Sequence, residues 1–163
     1  MRNKMLLKLL KTDLIAFDPG ETTGVVEIKQ GKLIKAYTIK HEELLKGVAF
    51  GDDLIKQWQQ YKLWVIEDFR IYPWAVVAGF DPALAARLIG ALQVAALQSN
   101  AQIVFQLAGT VKQFVNNDKL KLLGWWSLLR NGHARDAARH AAYYLITNAL
   151  YAAEGKGEFV GDA

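Results

Sequence analysis

The chain has 163 residues, 52% hydrophobic and 22% charged, with no cysteine, a net charge of +4 and a pI near 9.2. That length and balance fit one domain with a substantial core. They exclude a disordered chain, a disulfide scaffold, a thiolate zinc cluster and a cysteine nucleophile. No apolar run is long enough to span a bilayer. The mild basicity permits nucleic acid as a partner without establishing it. Met1 to Lys11 carries Arg2, Lys4, Lys8 and Lys11 among leucines. Lys8 interrupts the apolar stretch that a secretory signal needs, so the segment reads as a basic lead-in and the protein as cytoplasmic. The whole chain, 1–163, is expected to be one domain, with its core at about 12–153 and a flexible tail from 154.

Leu14-Ile15-Ala16-Phe17 runs into Asp18, and Pro19-Gly20 then bends the backbone. The run reads as a strand buried on both faces, which fixes Asp18 at its end. Gly24 to Lys29 forms a second strand, Gln30-Gly31 a tight turn, and Lys32 to Lys40 a third, giving an antiparallel meander. His41 to Gln60 has helical spacing, with Gly47 and Gly51 weakening or splitting the helix. Leu63-Trp64-Val65-Ile66-Glu67 repeats the first pattern, an apolar strand closed by an acid. Phe69, Arg70, Tyr72 and Trp74 lie in the aromatic-rich loop that follows.

Asp81-Pro82 marks a helix start, and Ala83 to Gln98 reads as a helix of small and apolar residues. Gln102 to Leu107 is a fifth strand. Val111 to Val115 reads as a short helix, Asn116 to Asp118 as a turn, and Trp125 to Arg130 as a helical turn. His133 to about Ala153 is the last helix. Lys112, Lys119, Lys121, Arg130, Arg135 and Arg139 face only Asp118 and Asp136 between residues 112 and 139. An ordinary solvated face would look the same.

Strands alternating with helices after a meander make an α/β mixed sheet, whose sites gather at strand ends. Asp18 and Glu67 close central strands, and become neighbours if those strands pair. Two carboxylates so placed repel unless a divalent cation lies between them. His133, Asp136 and His140, three and four residues apart, share one helix face near its N-terminus. The structural alternatives are a turn-capping Asp18, a helix-capping Asp136 and a His140 packed on the sheet. Oxygen ligands favour Mg²⁺ or Mn²⁺, and an imidazole among them suits Mn²⁺ better.

Asp18-Pro19-Gly20 with Thr23-Gly24, then Ile66-Glu67, then His133-Ala134-Arg135-Asp136-Ala137, resembles the RuvC family of Holliday-junction resolvases. Val111-Lys112-Gln113 resembles that family's basic segment. The likeness runs from Leu14 to about Leu150. The short chain and the pattern His133-x-x-Asp136-Ala137-x-x-His140 look like the phage-type branch. The resemblance implies a ribonuclease H-like fold, a five-stranded mixed sheet with its first three strands antiparallel, flanked by helices. It implies a homodimer on a four-way junction, each subunit cutting one strand with divalent metal, two ions per site.

Carried over by position, Asp18, Glu67 and Asp136 are metal-binding catalytic carboxylates. His133 stands where many members have another Asp, and either coordinates metal or acts on the scissile phosphate as a general acid. Phe69 is the first choice for an aromatic that stacks on unpaired bases, with Tyr72 and Trp74 as alternatives. Arg70, Lys112, Lys119 and Lys121 are candidate DNA contacts, and His140 and Arg139 candidate supports behind the ligands. Helix 83–98 resembles the family's dimer helix. The competing expectations are a nuclease for flaps or forks, an inactive DNA-binding dimer, and a sugar-kinase-like ATPase. The last needs two such domains, and 163 residues hold one.

Overall fold

The structure, a computed structural model, describes residues 11–70 and 81–156. Tyr72 and Trp74 lie outside the described residues, as does most of the expected tail. Five strands form one sheet: β1 (Leu14–Asp18), β2 (Thr22–Lys29), β3 (Lys32–Lys40), β4 (Leu63–Asp68) and β5 (Gln102–Leu107). Their spatial order is β3-β2-β1-β4-β5. β1 pairs antiparallel with β2 and parallel with β4, and β4 pairs parallel with β5. The expected mixed sheet with its antiparallel meander is therefore present. β1 is central, which is why its apolar run shows no alternation.

The helices are α1 (His41–Phe50), α2 (Asp53–Trp58), α3 (Pro82–Gln98), α4 (Ala108–Phe114), α5 (Asn117–Leu122) and α6 (Gly132–Glu154), with a 3-10 turn at Trp126–Leu128. The expected break after α1 falls at Gly51, whose φ of 64° is a left-handed cap. Asp52 restarts the chain by accepting from the Ile55 amide at 3.0 Å. Asp81 caps α3 through the Ala83 amide, with Pro82 in the first turn. The turn expected at Asn116 to Asp118 is instead the start of α5. Asn116 caps the Lys119 amide at 3.0 Å, so the polar run opens a helix. Among the described residues, no helix is long and apolar enough to cross a membrane.

Strand alternation divides the core between the two faces of the sheet. Leu14, Ala16, Val26, Ile28, Leu63, Val65 and Val104 face α6, whose Ala137, Ala138, Ala141 and Ala142 let the helix lie close. Ile15, Phe17, Val25, Trp64 and Ile66 face the opposite side, with Leu88 and Leu92 of α3. There Phe17 meets Trp58 edge-on at 5.0 Å and Trp64 at 5.1 Å.

One acid is buried within that second side. Glu27 accepts from the Tyr37 and Tyr61 hydroxyls, both at 2.8 Å, and Trp58 donates to Tyr37 at 2.6 Å. Burial pushes both tyrosine hydroxyls above their ordinary pKa, so they remain neutral donors. Tyr37→Phe removes a donor from Glu27 and the acceptor from Trp58. It is expected to cost about 1–3 kcal/mol in denaturant unfolding; an unchanged midpoint contradicts the network's contribution.

Candidate functional site

Period-two geometry aims three polar residues at one place. Asp18 follows Leu14 and Ala16 in alternation, Glu67 follows Leu63 and Val65, and Gln106 follows Val104, all toward α6. Phe17 is the register partner of Ile66, which puts Asp18 beside Glu67. Glu67 is itself the register partner of Gln106. Asn131 caps α6 by accepting from the His133 amide at 2.8 Å, and so starts that helix over the strand ends.

The approach of α6 depends on Gly24. It is the register partner of Asp18 across β2. A Cβ there would stand 2.0 Å from the His133 carbonyl oxygen and 2.9 Å from the Ala134 nitrogen. Thr23, beside it, is fully buried, and its hydroxyl donates to the Gly20 carbonyl at 3.2 Å. That bond steadies the Pro19-Gly20 turn after Asp18.

The last helix then delivers its side chains in order along one face. His133 Nδ1 stands 3.4 Å from Asp18 Oδ2, with the imidazole 51% exposed. Asp136 pairs with Lys112 Nζ at 3.0 Å and with the Arg139 guanidinium. His140, fully buried, places Nε2 at 2.8 Å from Glu67 Oε2 and Nδ1 at 3.0 Å from Gln106 Oε1. Arg139 also bonds the Val115 carbonyl at 3.1 Å and Asn117 Oδ1 at 2.5 Å, tying the site to α5.

The acids act on one another electrostatically. Burial first, and then the charges of Glu67 and Asp136, together push the Asp18 carboxyl up to about 8. Lys112 works against this, and its own ammonium is favoured by Asp136 despite partial burial. Among the described residues, no three His, Asp or Glu side chains are set around a single point as an ion cage. Lys112 and Arg139 draw Asp136 to themselves, and each of the other two acids faces an imidazole. By chemistry the donors are those of a hard-cation site, carboxylate oxygens with one half-exposed imidazole, and the repulsion among the acids is the penalty that a divalent ion would relieve.

The other expected residues are distributed as follows. Phe69 is half-buried directly after β4, its amide bonded to Asp68 Oδ1 at 2.8 Å, and Arg70 is exposed. Lys119 bonds the Phe114 carbonyl and lies 4.0 Å from that ring's centre. Lys121 pairs with Asp118 at 3.5 Å and lies over Trp126. Trp125 is core. Sequence reasoning missed Gln106, and it left open whether His140 packs on the sheet or supports a ligand. The structure buries it against the sheet with Nε2 on the Glu67 carboxylate.

No family model matches the chain, and no curated protein sequence matches it. Solved structures do. The RuvC of T. thermophilus in complex with Holliday junction substrate superposes with a TM-score of 0.61 at 20% identity, covering 90% of this chain and 98% of that one. A Thermus thermophilus RuvC structure gives 0.61 at 18%, covering 90% and 99%. Nearly the full length of both chains is shared. The chain is RuvC-like in fold, a ribonuclease H-like sheet flanked by helices.

Proposed function

We propose that the protein is a divalent-metal-dependent endodeoxyribonuclease that cuts four-way DNA junctions as a homodimer. The observation that carries this reading is the convergence of Asp18, Glu67 and Asp136, from three separate parts of the chain, at the ends of paired strands. The shared fold supports it, since one neighbour was solved with a Holliday junction substrate.

Phosphodiester hydrolysis needs water delivered to phosphorus and a proton for the departing alkoxide. Mg²⁺ or Mn²⁺, two ions on this reading, held by Asp18, Glu67 and Asp136, would stabilise the charge on both oxygens. The chain's own residues do the rest. Release of Lys112 from Asp136 frees a cation for a phosphate oxygen. His133 lies at the exposed edge of the site with Asp18 behind it, placed to hold the scissile phosphate or to donate the alkoxide's proton. Arg70, Lys112, Lys119 and Lys121 supply phosphate contacts, and Phe69 a surface for an unpaired base. Two symmetric cuts need two sites, and the exposed Val94 and Leu97 of α3 give a second copy an apolar face.

His133→Ala is expected to slow single-turnover cleavage by about 10²–10⁴-fold while junction binding persists. An unchanged rate returns His133 to a structural role. The function itself is tested by offering four-way, forked and linear duplex DNA with Mg²⁺, with Mn²⁺ and with chelator. Preferred cutting of the four-way junction, abolished by chelator, is the expected result. Equal cutting of all three substrates rejects junction specificity, and preference for forks favours the flap or fork nuclease.

A further inference from the structure

The Gln106 side chain is 1% exposed and faces α6 from the edge strand β5. Its amide oxygen lies 3.0 Å from His140 Nδ1. Its amide nitrogen is the one buried side-chain polar atom without a partner among the described residues. On the far side of the same ring, Nε2 lies 2.8 Å from Glu67 Oε2. An ionised carboxylate only accepts, so the ring proton belongs on Nε2. The Nδ1 atom of that tautomer is an acceptor and wants a donor. Turning the Gln106 amide by 180° supplies one, and it removes the stranded NH₂ at the same time.

We propose that Gln106 is a positioning residue. Its amide N–H donates to His140 Nδ1, fixes the Nε2–H tautomer, and thereby holds Glu67 by Oε2 in one orientation. Every link in the chain of Gln106, His140 and Glu67 then runs in one direction, from amide donor through ring to carboxylate. The remaining carboxylate oxygen, Oε1, is left for the Asp18 side of the site. Two features show that the arrangement is built for this. Gln106 and Glu67 are register partners on adjacent parallel strands, so their side chains point the same way at the same level. His140, seven residues after His133 on α6, drops between them with no solvent contact. A buried His held at both nitrogens has no freedom to rotate, and its partners inherit that rigidity.

The proposal deepens the nuclease reading for its kinetic consequence, but its primary test does not depend on activity. Imidazole ¹⁵N chemical shifts of the metal-free wild-type protein report which nitrogen of His140 carries the proton. The expected result is a protonated Nε2 and an unprotonated, hydrogen-bonded Nδ1. A proton on Nδ1 in the wild type overturns the proposal, whether or not the protein cuts DNA. Gln106→Met keeps the shape and removes the donor, and is expected to abolish the hydrogen-bond shift at Nδ1. Gln106→Glu presents only an acceptor and is expected to move a proton onto Nδ1. Unchanged His140 shifts in either folded variant overturn the proposal. If the wild type cuts junctions, Gln106→Met should lower kcat by roughly tenfold to a hundredfold with KM for the junction unchanged. An unaltered kcat contradicts the positioning role even where the tautomer is as expected.

Discussion

Asp18→Asn is expected to reduce junction cleavage by at least about 10³-fold while leaving junction binding within a small factor of wild type. Asparagine keeps the size and one oxygen, but loses the charge that a cation would meet. The same substitution should change stability in the opposite sense. The folded-state carboxyl of Asp18 is raised to about 8 from an ordinary value of 3.8, first by burial and then by Glu67 and Asp136. A raised carboxyl binds more protons in the folded than in the unfolded protein between those values. Stability therefore falls as pH rises through that window, and a displacement of this size is worth several kcal/mol. In chelator, wild type should lose thermal stability between about pH 4 and pH 8, and Asp18→Asn should lose much less. At pH 8 the variant should be the more stable protein, and added Mg²⁺ should narrow the gap by stabilising wild type. Retained cutting by Asp18→Asn removes the residue from the site, and matching pH profiles in chelator contradict the crowding of the acids.

Gly24→Ala is expected to damage both fold and activity, although glycine to alanine is the smallest side chain that can be added. The new methyl would stand 2.0 Å from the His133 carbonyl oxygen, a distance that no rotamer change can relieve because the methyl is fixed by its own backbone and the oxygen belongs to the main chain. Either β2 or the first turn of α6 must move. The expected cost is about 3 kcal/mol or more, a fall in Tm of about 6–12 °C for a chain of this length. Whatever folds should have His133 and Asp136 displaced from Asp18 and Glu67, so cleavage should fall further than stability accounts for. Gly109→Ala provides the contrast, since a Cβ there meets nothing within 4 Å. Calorimetry on the two variants checks the pair. A Gly24→Ala protein with wild-type Tm and cleavage rate contradicts the role given to that contact.

The parts of the fold that could be read from the residues are those where one local signal decides the outcome. An apolar run ending in an acid marks β1 and β4, because a central strand needs no alternation and its end reaches the rim of the sheet. Asp81-Pro82 marks the start of α3 because cap and turn chemistry are local. The spacing of His133, Asp136 and His140 places them on one helix face whatever surrounds that helix. What escaped depends on partners distant in sequence. Glu27 reads as an ordinary polar position in a strand, and only the covered sheet brings Tyr37 and Tyr61 to it. Lys112 reads as a basic surface residue, yet folding sets it against Asp136, 24 positions on. Gln106 carries one sequence signal, a polar residue breaking the apolar alternation of β5. Its meaning rests on His140, 34 residues away.

The proposed activity requires Asp18, Glu67 and Asp136 to share divalent cations. Anomalous diffraction from crystals of the protein grown with Mn²⁺ measures this without reference to DNA or turnover. The expected result is manganese bounded by those three carboxylates, with Asp136 drawn off Lys112. Manganese elsewhere on the molecule, or none between the acids at saturating concentration, would contradict it.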